Sequence, residues 1–353
     1  MAAAGSAALR GASRANALLD VRVAGREKPA RAAADRSAEP ASASAPDAVF
    51  DLPPLEPLRP EIEPIAASIS QSVLGRDRDV RLALACRVAG GHLLIDGPPG
   101  LGKTTLARRL AEVLGARMRR VQFTADLMPA DILGAPVLDR EAGVFRFLEG
   151  PIFTDVLLAD EINRAPPRVQ SALLEAMAEG RVTVDGAPRA LPPRFFVVAT
   201  RNPTSEIGAF PMPESELDRF LMRLSFGHLT RHAEATVLSR DDTDFAAVSS
   251  PETASDPAPD LSAIHVSDLV RGYVQDLLEA SRADERLGSG LSIRAGLALM
   301  QAARAWTWLH GRDAAEPDDI QAVFPAVAGH RLLRDGLETP NAAAALLNAV
   351  PTP

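Results

Sequence analysis

The sequence predicts an α/β fold: a parallel sheet covered by helices on both faces, then a small all-helical domain, with a disordered tail at the N-terminus. Three observations carry this. Short, wholly apolar runs alternate with stretches of helical periodicity between about residues 60 and 200. Beyond His265 only the helical period persists, and no strand is expected there. Ahead of residue 49 the chain is rich in Ala, Ser and Arg with little apolar periodicity, the composition of a segment that cannot bury a core.

Along the chain, residues 1–48 are the tail, and "DLPPLEPLRP" (Asp51 to Pro60) is a proline-stiffened lead-in. From Glu61, "EIEPIAASISQSVLG" has helical spacing and stops at Gly75, in the position of a C-terminal cap. A second helix runs from Asp77 to about Ala89 and reaches Gly90–Gly91. The run "HLLID" (His92 to Asp96) is short, apolar and glycine-bounded, so it reads as a buried strand. "VLLAD" (Val156 to Asp160) and "FFVVAT" (Phe195 to Thr200) are strands of the same kind, with the helical "RVQSALLEAMAEG" between them. Around Asp241 to Asp260 the composition turns acidic and rich in Ser and Pro, which reads as a linker. The expected division is a tail over 1–48, an α/β core over 49–240, a linker over 241–262 and a helical domain over 263–353.

Bulk properties narrow the function. The 353 residues are 46% hydrophobic and 24% charged, the balance of a globular protein with room for two or three domains. A net charge of −8 argues against a chain built mainly to hold nucleic acid or an anionic membrane. The single cysteine, Cys86, cannot close an internal disulfide and fits a reducing, cytoplasmic setting. No apolar run approaches the ~18 residues of a membrane span. The first residues lack a continuous apolar segment, so no secretory signal is expected, and their transit-peptide-like bias is read as tail composition.

The chemistry is concentrated in three strand ends. "GPPGLGKT" fits G-x-x-x-x-G-K-[ST] with Gly97, Gly102, Lys103 and Thr104, after a strand and before a helix, the context this motif demands. The loop Gly97, Pro98, Pro99, Gly100, Leu101, Gly102 would turn backbone N–H groups toward phosphates, with Lys103, Thr104 and Thr105 opening the helix. Lys103 can reach the β- and γ-phosphates of ATP, and Thr104 can ligate Mg²⁺. In "VLLADE", Asp160 is the second Mg²⁺ candidate and Glu161 the candidate to orient and polarise the attacking water. In "FFVVATRNP", Asn202 just past a core strand can contact the γ-phosphate or the water.

With these residues in hand, the chain resembles the AAA+ ATPases, and within them the MoxR type, from about Gly75 to Leu229 and more loosely beyond. The segments are "GGHLLIDGPPGLGKTTLARRLA", "VQFTADLMPADILG", "GPIFTDVLLADEINRAPPRVQSALLEAMAEGRVTVDG" and "FPMPESELDRF", of which "LADEINRAPPRVQSALLEAM" is the narrow one. The resemblance implies an AAA+ core with a helical lid, assembled as a homo-oligomeric, hexameric ring with each site between neighbours. It implies that Arg219 of "LDRF" acts in trans as an arginine finger, with Arg223 the substitute, and that Arg294 of "LSIRA" is a lid contact to the nucleotide. Arg201 stands where such chains more usually have glutamine, and it has no assigned role. It also implies two insertions, Ala135 to Gly150 and the hairpin Arg181 to Phe195 with its Asp185–Gly186 turn, facing the pore or a partner.

Relatives of this type act as chaperone-like remodellers beside von Willebrand factor A-domain (VWA) partners, in maturation of or metal insertion into a client protein. A chelatase motor subunit loading a tetrapyrrole is the alternative, and a nucleic-acid motor a weaker one, since Asp185 at the hairpin tip balances Arg181 and Arg189 and no GAFTGA-type loop is present. Elsewhere, His228 and His232 are four apart but lack a third ligand, Trp306 and Trp308 read as packing, and "ARMRR" (Ala116 to Arg120) reads as a solvated basic face.

Overall fold

The computed structural model describes residues 50–202, 209–239, 256–334, 337–339 and 341–353. The predicted tail and most of the predicted linker, residues 241–255, lie outside the described residues.

The three apolar runs form the centre of a five-stranded sheet. They are β1 (Leu93–Asp96), β5 (Val156–Asp160) and β8 (Phe196–Arg201), and β2 (Met118–Gln122) and β9 (Met222–Ser225) complete the order β2-β5-β8-β1-β9. Every pairing is parallel, with Leu93 opposite Val198 and Met222, and Val156 opposite Phe196 and Met118. Burial on both faces explains why the central runs show no alternation in the sequence, yet period two still governs them. Leu93, Ile95, Leu158 and Val198 face one core with α1 (Glu63–Ser72), α2 (Asp77–Val88), α3 (Lys103–Val113) and the lid helices. Leu94, Leu157, Ala159 and Val197 face a second core under α4 (Pro129–Leu133) and α5 (Pro167–Glu179). Each of these side chains is fully buried, and each Leu, Ile and Val among them is worth about 1.5–3 kcal/mol in area removed from water.

The outer strands differ. In β2 the run "MRRVQ" is polar and only partly buried, as an edge strand can be. The basic face expected over Ala116 to Arg120 is therefore in large part a strand whose side chains alternate between faces. The two insertions are antiparallel hairpins. One joins β3 (Gly134–Asp139) to β4 (Val144–Glu149). The other joins β6 (Arg181–Val184) to β7 (Ala187–Ala190). Asp185 and Gly186, at φ +50° and +75°, supply the two left-handed residues a tight two-residue hairpin turn requires. After β9, α6 (Glu214–Leu217) having preceded it, the core closes with α7 (Arg231–Leu238).

The lid is built on the helices Asp268–Ala283, Ile293–Leu309, Pro317–Ala328 and Ala342–Ala349. Ser267 and Ser292 cap the first two, accepting from the N–H groups of Val270 and Ala295. Contrary to the all-helical expectation, two-residue strands also occur: His265–Val266 pairs with Ala314–Ala315, and Leu333–Arg334 with Leu337–Glu338. Pairs this short carry no apolar signature. The described end of the predicted linker is anchored where Asp256 meets Arg87 and Arg194. Trp306 is buried, and the Arg59 guanidinium lies over the Trp308 ring at 4.7 Å, fixing the proline-rich lead-in to the lid.

Candidate functional site

The ends of β1, β5 and β8 meet at one edge of the sheet, and the loop after β1 turns there into α3. Gly102 takes φ +84° at the start of α3 with no side chain capping the first turn, so its N–H groups point outward for an anion. Gly97 must be glycine: a Cβ there would lie 2.4 Å from the Phe226 carbonyl oxygen. Lys103 donates to the main-chain carbonyls of Gly97 and, at 3.2 Å, Arg201. Burial pushes its pKa down, while Asp160, Asp96 and Glu161 pull it back up.

A cavity of about 540 Å³ opens over this loop, and its wall includes Lys103, Thr104, Thr105, Asp160, Glu161 and Asn202. Pro99 to Gly102 also line it, whereas Gly97 and Pro98 stand outside the wall. One side is apolar, from Val73, Leu74, Leu229 and Val237, which suits a flat heterocycle. The Thr104 hydroxyl and the Asp160 carboxylate are hard oxygen donors on the same wall, the chemistry that Mg²⁺ requires.

The acidic pair is held by residues that sequence reasoning did not single out. Asp160 Oδ1 accepts from the Thr200 hydroxyl at 2.5 Å, and its Oδ2 accepts from Arg120 Nη2 at 2.5 Å and Nε at 3.1 Å. The Thr200 oxygen in turn accepts from the Glu161 N–H at 3.0 Å. Glu161 sits in the left-handed region, φ +56° and ψ +49°, unusual for a side chain other than glycine. Its Oε2 accepts from Gln122 Nε2 at 3.0 Å and Arg164 Nη1 at 2.9 Å. The signal that could have found Arg120 and Gln122 is their spacing: two apart on an edge strand, they share a face.

Arg201 and the three arginines expected at the nucleotide fall in different places. Arg201 makes a two-pronged pair with Asp96, Nε to Oδ1 at 2.9 Å, which gives it a structural role beneath the loop. Arg223 points inward, 3.6 Å from the same Asp96 with its side chain 11% exposed, so the substitute finger is a buried counter-charge instead. Arg219 is exposed and donates to the Leu174 carbonyl at 2.8 Å, outside the wall of its own cavity. Arg294 also lies outside that wall: its 71% exposed side chain pairs with Asp218 at 3.2 Å. Arg294, expected as a lid contact to the nucleotide, is set by the Ser292 cap in the first helical turn, against Asp218.

The comparisons agree with this geometry. Residues 92–222 match the ATPase family associated with various cellular activities (AAA), and residues 279–350 match the AAA lid domain. The chain is 38% identical to the protein YeaC of Bacillus subtilis (strain 168), of uncharacterised function, over 79% of this chain and 88% of that one. It is 35% identical to Chaperone MoxR1 of Mycobacterium tuberculosis over 75% of this chain and 74% of that one. A crystal structure of a candidate ATPase from Cytophaga hutchinsonii superposes with a TM-score of 0.71 at 29% identity, covering 83% of this chain and 95% of that one.

Proposed function

We propose, from the premise that this chain belongs to the MoxR-type AAA+ ATPases, that it hydrolyses Mg²⁺-bound ATP within a ring of its own copies and works as a chaperone-like remodeller. The observation carrying this is that one cavity wall brings together Pro99 to Gly102 of the glycine loop, Lys103, Asp160, Glu161 and Asn202. Lys103 exchanges two neutral carbonyl partners for the charged β- and γ-phosphate oxygens, a stronger charge-assisted contact. Thr104 and Asp160, on the same wall, would hold Mg²⁺, which would supply charge neutralisation on the phosphates. Glu161 orients and polarises the water once Gln122 or Arg164 releases its carboxylate, and Asn202 holds the water or the γ-phosphate.

Arg219 and Arg294 serve a neighbouring subunit's site. Their exposure and their place outside the wall of their own cavity support that reading. The ring is hexameric, and the client is matured or loaded with metal together with a VWA-domain partner. The name of the mycobacterial relative and the apolar surface of the β3–β4 hairpin, where Phe145 and Leu148 are exposed, support a protein client.

The test is Glu161→Gln. It keeps ATP binding and loses hydrolysis by ~100-fold or more, and sedimentation velocity with trapped ATP shows a ring. Normal turnover by this variant rejects Glu161 as the base. A monomer in every nucleotide state rejects the shared site.

A further inference from the structure

Both oxygens of the Asp160 carboxylate are already committed inside the chain. Oδ1 takes the Thr200 hydroxyl, and Oδ2 takes two N–H groups of the Arg120 guanidinium, at 2.5 and 3.1 Å. Thr200 is buried in the sheet, but the Arg120 side chain is 54% exposed and comes from edge strand β2. It is free to leave. A divalent cation that contacts Asp160 therefore meets a guanidinium on the same oxygen, and like charges so close repel. Arg120 also forms part of the cavity wall, so its charge lies within reach of anything phosphorylated that binds there.

We propose that Arg120 competes with the divalent cation for Asp160 and so sets how strongly nucleotide binding depends on that cation. The inference rests on the reading of this cavity as an Mg²⁺-nucleotide site. Without the cation, the guanidinium keeps Asp160 neutralised and spares the triphosphate a facing carboxylate. With the cation, Arg120 must release Oδ2, and part of the cation's binding free energy is spent on that release. Arg120 is a positioning residue: it acts through Asp160. A contact of Nη2 with Gln122 Oε1 at 3.4 Å ties the same movement to the side chain that holds Glu161.

The experiment measures the affinity of a mant-labelled non-hydrolysable ATP analogue for the full chain, in excess Mg²⁺ and in EDTA, for wild type, Arg120→Gln and Arg120→Lys. In wild type the analogue binds more tightly with Mg²⁺ than without. In Arg120→Gln the metal-free affinity falls while the Mg²⁺ affinity holds or rises, so the ratio of the two grows about tenfold, a modest change because the pair is half in solvent. Arg120→Lys keeps a cation there and stays near the wild-type ratio. Three outcomes overturn the proposal. Equal weakening with and without Mg²⁺ in Arg120→Gln makes Arg120 a plain phosphate contact. An unchanged ratio with an unchanged thermal midpoint makes it irrelevant to the metal. No binding by wild type in either condition rejects the nucleotide site itself, and a Lys103→Ala control identifies that case.

Discussion

His92 directly precedes β1 and is buried, and both ring nitrogens are in use: Nδ1 faces the Val197 N–H at 3.1 Å and Nε2 faces the Met177 carbonyl at 3.2 Å. Nδ1 must accept and Nε2 must donate, so only the neutral Nε2–H tautomer fits. A proton on Nδ1 would set donor against donor at the Val197 N–H. Burial, with the Arg87 charge adding to it, pushes the imidazole pKa down to about 4, against the partial rescue of the Met177 carbonyl. His330 is equally enclosed, with Nε2 on the Phe220 carbonyl, and burial followed by the Arg331 and Arg223 charges hold its pKa well below the usual value. The unfolded chain takes up these protons near pH 6.5 and the folded chain does not. Stability is therefore complete above that pH and is lost as pH falls toward the folded values. Between about pH 7.5 and 5, a shift from 6.5 to 4 costs about 2 kcal/mol for His92, and His330 adds to the loss in the same direction. Urea unfolding at several pH values reads the total. His92→Gln offers an acceptor and a donor that do not titrate, so the difference in pH dependence between it and wild type isolates about 2 kcal/mol. If the two profiles run parallel from pH 7.5 to 5, or the His92 imidazole titrates near 6.5 by NMR, the enclosed neutral tautomer is wrong.

Gly97→Ala drives a Cβ to 2.4 Å from the Phe226 carbonyl, and should cost about 2–3 kcal/mol in unfolding measurements and weaken nucleotide binding together with it. Thr200→Val removes both the donor to Asp160 and the acceptor for the left-handed Glu161 N–H. Turnover should fall about tenfold or more with ATP affinity nearly kept, and equal losses in kcat and affinity would contradict this positioning role. Arg331→Met takes away a buried guanidinium bonded to Asp218 Oδ1 at 2.7 Å and the Phe220 carbonyl at 2.8 Å. The expected cost is about 3–5 kcal/mol by thermal or urea unfolding.

The sheet centre was legible because three runs bury both faces and so had to be apolar throughout, as Leu93 to Ile95, Val156 to Ala159 and Phe196 to Ala199 are. The hairpin at Asp185–Gly186 was legible for a different reason: few residues tolerate its left-handed turn. β2 escaped notice because an edge strand needs no apolar run, and with it went Arg120 and Gln122, which brace the acidic pair. β9 escaped as well, its "MRLS" interrupted by Arg223, whose charge is answered by Asp96 two strand positions from any clue in the local sequence. The loop residues around Lys103 were readable from spacing alone, since local geometry makes that part of the site. Where Arg294 and Arg223 point was not, because it depends on which carboxylate the rest of the fold brings to them.

Asp218 is where these long-range effects converge. Its carboxylate accepts from Arg331 through Oδ1 and from Arg294 through Oδ2, and both arginines belong to the lid. Arg331 also donates to the carbonyls of Asp218, Phe220 and Leu221, and His330 to that of Phe220, so the lid grips the main chain on both sides of Arg219. Of the contacts that hold this segment, Arg331's are enclosed, with its side chain 6% exposed, while Arg294's lie largely in water at 71%. Buried charge pairs tolerate little misplacement and exposed ones tolerate much. A lid that shifts relative to the core must therefore carry the Asp218–Leu221 segment with it through Arg331, whereas Arg294 can exchange Asp218 for another anion at small cost. The motif that presents Arg219 is in this way mechanically part of the lid, although it precedes the lid in sequence.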